Sequence, residues 1–110
     1  MAMADTLHQR VRAQLTLALL GNSCAGKKLA TLNWNARQAG LTGAEIDVAL
    51  AGSSFEARTA AVIAYACALQ SGADGDVIHT QTRACTLGVT NAELQAVAAE
   101  TAEILGRSLS

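Results

Sequence analysis

A helix stop followed by a helix start occurs twice in this chain, at an offset of 48 residues. The segment "GLTGAEI" at 40–46 returns as "GVTNAEL" at 88–94. In each copy a glycine can end a helix in the left-handed conformation, and a threonine three residues before a glutamate forms a capping box for the next helix. Ala36 and Ala84 keep the same register upstream. We expect two pseudo-repeated helical hairpins, although the pattern could also be one efficient boundary used twice.

The remaining boundaries predict an all-α fold of about six helices. Proline is absent, Ala and Leu dominate, and no segment alternates with the two-residue period of a strand. In the first half, the expected helices run over about 6–20, from a cap at Asn22 or Ser23 to Gly40, and from Thr42 to Gly52. In the second half, one runs from a capping box at Ser53 to about Gly72, one over about 75–87, and one from Thr90 to about Gly106.

Composition limits the classes of partner. Hydrophobic residues make up 51% and charged residues 15% of the 110 residues, and this length predicts a single domain over 1–110. This apolar surplus predicts a buried subunit interface, and therefore a homo-oligomer. The net charge of −1 gives no basis for binding nucleic acid or an anionic membrane. No run of 18 apolar residues and no signal-peptide pattern is found, so we expect a cytoplasmic protein with no membrane partner.

The three cysteines, Cys24, Cys67 and Cys85, form no C-x-x-C pair. Their odd number argues against a disulfide scaffold, and the two histidines are too far apart in sequence to suggest a zinc site. We expect no metal and no cofactor. Cys67 lies in an apolar helix and is predicted to be in the core, and Cys85 is also predicted to be packed.

The segment "GNSCAGKK" at 21–28 has two interpretations. It matches the phosphate-binding pattern G-x-x-x-x-G-K, but Lys28 replaces the magnesium-binding hydroxyl and no parallel strands surround it. Alternatively, Cys24 is a reactive thiol. At the first helical position, with Lys27 and Lys28 three and four residues on, its pKa would be lowered by the helix dipole and the lysines. The simpler alternative is an inert, buried cysteine.

The order of these residues resembles the carboxymuconolactone decarboxylase superfamily, in its alkylhydroperoxidase D-like branch. The resemblance runs from about residue 10 to 105. It includes Asn22-Ser23-Cys24, then Ala39-Gly40-Leu41, then Ala51-Gly52 leading into "EARTA" at 56–60, and "LGVTNAEL" near the C-terminus. It implies a small all-α domain that assembles as a trimer or hexamer, with peroxiredoxin-type reduction of hydroperoxides as an antioxidant activity.

The site implied by the resemblance is a C-x-x-C-x-x-x-H motif with a glutamate about twelve residues before it. Cys24 stands at the first cysteine, Lys27 at the second, Thr31 at the histidine and Arg12 near the glutamate. The active-site motif is therefore degenerate. His79, which follows Thr31 at the repeat offset of 48 residues, is a further candidate for a base that reaches Cys24.

Three functions follow from this comparison. In the first, the chain is a non-catalytic or repurposed oligomeric module. In the second, Cys24 acts as a one-cysteine peroxidase whose sulfenic acid is resolved by an external thiol. In the third, Arg12, Lys27 and Lys28 hold a small carboxylate for decarboxylase-like or isomerase-like chemistry.

Overall fold

The computed structural model describes the backbone of residues 2–21 and 26–109, and the side chains of 9–21 and 26–106. Within these ranges the chain forms helices and no strands, as the sequence predicted. The six helices are α1 (Ala2–Leu20), α2 (Lys27–Gln38), α3 (Gly43–Leu50), α4 (Ala57–Ser71), α5 (Asp74–Thr86) and α6 (Asn91–Leu109). Among the described residues no helix combines the length and the apolar character needed to cross a membrane.

The repeat expected from the sequence is present in the backbone. Helices α1 to α3 correspond to α4 to α6, with α2 and α5 ending, and α3 and α6 beginning, at equivalent positions. Gly40 and Gly88 end their helices with φ of 98° and 96°, a region that favours glycine. The next residue in each copy donates its amide to an alanine carbonyl, Leu41 to Ala36 at 3.1 Å and Val89 to Ala84 at 3.0 Å. The equivalence therefore extends beyond the quoted motif.

The core has two parts, and α1 contributes to both. One part joins α1 to α4, α5 and α6, and the other joins α1 to α2 and α3. Equivalent positions in the two repeats are buried together: Ala36 and Ala84, Leu41 and Val89, Ile46 and Leu94, Ala49 and Val97. Burial of these aliphatic side chains stabilises the two halves in the same way, by about 25 cal/mol per Å² of apolar surface removed from water.

One of the three predicted capping boxes is complete, and a second is partly formed. The Thr42 hydroxyl accepts the Glu45 amide at 3.2 Å, and the Glu45 carboxylate accepts the Thr42 amide at 3.0 Å. At α6, the Thr90 hydroxyl accepts the Glu93 amide at 3.1 Å and donates to the Glu93 carboxylate at 3.3 Å. The second box therefore lacks the return bond to the backbone and is weaker than the first.

The predicted capping box at Ser53 is wrong. Helix α4 begins at Ala57, and its N-cap, Glu56, makes no side-chain capping bond. The Ser54 hydroxyl instead accepts the Glu56 amide at 3.2 Å. Such a short-range bond gives the backbone an alternative to the helix, which delays the start of α4 by several residues.

Helix α2 also begins later than predicted. Its first residue is Lys27, and its N-cap is Gly26, which makes no side-chain capping bond and has φ of 61° and ψ of −126°. A positive φ at this position is accessible to glycine and strained for other residues. The predicted caps, Asn22 and Ser23, lie outside the described residues, as does Cys24.

Candidate functional site

A cavity of about 470 Å³ opens between α1, α4 and α6. Its floor is formed by aliphatic side chains: Val11, Leu15, Val62, Val89 and Val97. All of these except Val11 are buried against the main core. An apolar concavity with a few polar groups at its edge is the usual form of a small-molecule site, and known pockets span roughly 300–1,000 Å³.

Charged side chains surround this floor: Arg12, Glu56, Arg58, Glu93 and Glu100. They come from three helices and the turn before α4, so the site is assembled only when α1, α4 and α6 pack together. The rim carries three carboxylates and two guanidinium groups, and its net charge is therefore slightly negative. The way in which these charges pair decides what the cavity can bind.

Arg12, a predicted site residue, is engaged by two glutamates of α6. Its Nε lies 2.6 Å from Oε1 of Glu100, and its Nη2 lies 3.4 Å from Oε1 of Glu103. The Glu100 oxygen is fully buried and accepts no well-aligned hydrogen bond among the described residues. Because the two groups are nevertheless in close contact, we describe this interaction as an ion pair with off-axis geometry. It neutralises Arg12 on the cavity wall.

Arg58 is the second guanidinium group at the cavity. Its Nη2 donates to the carbonyl oxygen of Gly88 at 2.8 Å. Its counterpart in the first repeat, Arg10, donates in the same way to Gly40 at 2.8 Å. Arg10 also lies 2.6 Å from a carboxylate oxygen of Glu45. Arg58 makes no ion pair with any described residue, although Glu93 occupies the position equivalent to Glu45.

The pKa of Glu45 reflects its contacts with Thr42 and Arg10. Its pKa lies below the ordinary value of 4.5, first because the Thr42 amide bonds to the carboxylate and then because the Arg10 charge stabilises the ionised form. In the second repeat, the carboxylate of Glu93 bonds to neither the Thr90 amide nor Arg58. The two repeats thus have equivalent backbones, but the arginine and the glutamate form an ion pair only in the first.

Lys27 and Thr31 lie away from this cavity. Both are exposed on α2, and the Thr31 hydroxyl donates to the Lys27 carbonyl at 2.9 Å, a bond internal to the helix. Neither lines the cavity described above, nor a second one of about 400 Å³ between α1 and α2 that Arg12 also borders. The structure therefore does not place Lys27 or Thr31 with Arg12 at either cavity.

His79 and the cysteines complete the set of candidates. His79 is exposed on α5 and lines neither cavity. Because Cys24 lies outside the described residues, the predicted approach of His79 to this thiol stays a prediction. Cys67, predicted to be in the core, is half-buried and packs against the edge of the main core, and burial raises the pKa of its thiol above the ordinary value.

Cys85 is exposed, and the prediction that it is packed is wrong. Helix α5 lies at the periphery and buries only Ala84 among its residues, so the next position faces outward. Within the described ranges no group of three or more histidine, cysteine, aspartate or glutamate side chains could hold a metal ion.

Reasoning from the sequence missed Arg58, Glu93 and Glu100 as candidate site residues. The repeat offers a signal for the first two, because they stand at the positions of Arg10 and Glu45. No such signal exists for Glu100, whose relation to Arg12 depends on the packing of α6 across α1.

Comparisons of the chain with family models, with curated proteins and with solved structures find no match.

Proposed function

We propose that this chain is a non-catalytic, self-associating helical module with a fold like that of the alkylhydroperoxidase D-like branch. The observation that carries this proposal is the exposure of large apolar side chains. Trp34 is 62% exposed, Phe55 69% and Ile78 64% in the single chain. The chain has only three aromatic residues, so two of the three face solvent unless another subunit covers them.

The described groups around the degenerate motif support the absence of peroxidase activity. A proton relay needs a side chain that gives and takes protons near neutral pH. Arg12, near the position of the implied glutamate, is held by Glu100, and Thr31, at the position of the implied histidine, bonds to its own helix. Lys27 replaces the implied second cysteine, so no disulfide can form within this motif.

The assembly can be tested through Trp34, the only tryptophan. We expect light scattering coupled to size-exclusion chromatography to give a trimer or hexamer. We also expect a blue-shifted tryptophan emission that moves to the red on dilution, because dissociation returns the indole to water. Phe55→Ser should weaken assembly, because it removes one of the exposed apolar side chains on which the proposal rests. A monomer at high protein concentration with fully solvated tryptophan emission would contradict the proposal.

Reduction of hydroperoxides through Cys24 is the second candidate function. One observation favours it: Lys27 and Lys28 at the start of α2 are both exposed and make no ion pair with any described residue. Two uncompensated cations close in sequence to Cys24 would stabilise a thiolate. Saturable hydroperoxide consumption with an external thiol, abolished by Cys24→Ser and retained by Cys85→Ser, would establish this function and exclude the first.

Binding of a carboxylate by Arg12, Lys27 and Lys28 is the third hypothesis. The contacts of Arg12 with Glu100 and Glu103 weigh against it, because they offset the positive charge on which the hypothesis depends. No described contact brings the two lysines to Arg12.

A further inference from the structure

The two repeats place the same arginine and the same glutamate in different states. In the first repeat, Arg10 bonds to the Gly40 carbonyl through Nη1 and to Glu45 through Nη2. One guanidinium group can therefore hold a carbonyl and a carboxylate at once in this fold. In the second repeat, Arg58 bonds to the Gly88 carbonyl, and its remaining donors meet no carboxylate of the described residues.

Glu93 is the residue that would complete an ion pair with Arg58. Because the two side chains form no ion pair, we call Arg58 and Glu93 the open pair. The only described side-chain bond of Glu93 is a 3.3 Å contact from the Thr90 hydroxyl. Arg58 and Glu93 both line the cavity, so a cationic and an anionic group stand unpaired at one rim. In the first repeat the equivalent groups close onto each other.

We propose that this cavity binds a free apolar amino acid as a zwitterion, its carboxylate on Arg58 and its ammonium group on Glu93. The aliphatic side chain of the ligand would lie on the floor formed by Val62, Val89 and Val97. The ligand thus takes the place of the ion pair that the first repeat forms within the protein.

The charges at the rim favour a zwitterion over a simple acid or amine. Arg12 and Glu100 compensate each other, which leaves Arg58, Glu56 and Glu93. An acid without an amine would meet two carboxylates beside the guanidinium group, and an amine without an acid would bind a carboxylate but leave the free donors of Arg58 without one. A zwitterion satisfies both signs, and guanidinium groups bind carboxylates with two parallel hydrogen bonds.

The size and the chemistry of the cavity agree with such a ligand. A volume of about 470 Å³ is ample for an aliphatic amino acid with ordered water. Val62, Val89 and Val97 are buried and contribute no polar atoms, so the floor provides only van der Waals contact and burial. Specificity for the polar end of the ligand must therefore come from the rim.

The test compares leucine with two derivatives that each lack one charge. Binding is followed by chemical-shift changes at the amides of Val89 and Val97 during titration with leucine, leucinamide and N-acetyl-leucine. We expect leucine to bind at least about tenfold more tightly than either derivative, since a hydrogen bond to a charged group is worth about one factor of ten or more. Equal or tighter binding of a derivative, or no binding of leucine, would overturn the proposal.

The repeat supplies the matched control variant. Glu93→Gln should weaken the binding of leucine and of leucinamide, whose ammonium groups Glu93 would hold, about tenfold, and should not weaken that of N-acetyl-leucine, which has no ammonium group. Glu45→Gln, the same change at the equivalent position, should leave leucine binding unchanged. If the two variants change leucine affinity alike, the open pair is not the binding site.

This proposal does not depend on the oligomeric state. The lining residues of the cavity belong to one chain, and the titration is read out at these residues in whichever assembly the protein forms. A failure of self-association would therefore leave the leucine titration interpretable, and a failure of binding would leave the assembly result interpretable.

Discussion

Arg10 and Glu45 form a closed ion pair at 2.6 Å, and the same guanidinium group donates to the carbonyl that ends α2. The pair thus ties α1 to the boundary between α2 and α3. Removal of the charge by Glu45→Gln should lower the free energy of unfolding by up to about 1 kcal/mol, because both side chains are partly exposed. Glu93→Gln, which breaks no ion pair, should cost less in the same urea titration.

The lowered pKa of Glu45 gives this contribution a pH dependence. A carboxyl group whose pKa is depressed on folding stabilises the folded state above its unfolded pKa. The contribution should therefore be present at neutral pH and be lost as the pH falls from about 4.5 through the pKa of the folded state. We expect the stability difference between the parent chain and Glu45→Gln to vanish in strong acid. A difference that is constant with pH would contradict the assignment.

The two threonine caps should differ in their energetic contribution. The Thr42 box makes both reciprocal bonds, whereas the Thr90 hydroxyl makes one bond to the backbone. Loss of an N-cap side chain costs about 1 kcal/mol. Thr42→Ala should cost about this value, because it removes the acceptor of the Glu45 amide while the backbone amide of residue 42 still bonds to the Glu45 carboxylate. Thr90→Ala should cost at least as much, because its hydroxyl bonds to both the amide and the carboxylate of Glu93. Urea unfolding of both variants, with Thr82→Ala as an exposed control within α5, measures the difference.

The contact between Arg12 and Glu100 should show strong coupling. Arg12→Met leaves a buried carboxylate oxygen without its cation, which should destabilise the protein by about 1–3 kcal/mol. Glu100→Met alone should also destabilise it, and the double variant should recover much of the loss, because the buried charge is then gone. A double-mutant cycle in urea measures the coupling; additive effects would show that the two groups are independent.

The three thiols should separate by their alkylation rates in the folded protein. Cys85 is exposed and should react readily, whereas Cys67 is half-buried, has a raised pKa and should react slowly until the protein unfolds.

With Cys67→Ala and Cys85→Ala in the background, the pH dependence of alkylation gives the pKa of Cys24. A pKa well below the ordinary thiol value of about 8.5 would support peroxide chemistry, and a normal or raised value would support the non-catalytic module.

Local chemistry in the sequence was sufficient for the number and order of the helices and for the repeat, although not for the starts of α2 and α4. Gly40 and Gly88 end helices because only glycine adopts their positive φ without strain, and Thr42 with Glu45 starts one because the partners are three residues apart. These signals act over a few residues and do not depend on what packs around them. Where two local signals competed, the sequence alone led to the wrong prediction. The capping box expected at Ser53 does not form, and the Ser54 hydroxyl accepts the Glu56 amide instead.

The candidate site depended on contacts that no local pattern encodes. Arg12 meets Glu100 only because α6 crosses α1, and the cavity exists only because α1, α4 and α6 leave a gap above their shared core. The equivalence of Arg10 with Arg58, and of Glu45 with Glu93, can be read in the sequence. Whether each pair closes depends on the three-dimensional surroundings of its side chains: the first pair closes onto itself, and the second stays open at the rim of a cavity.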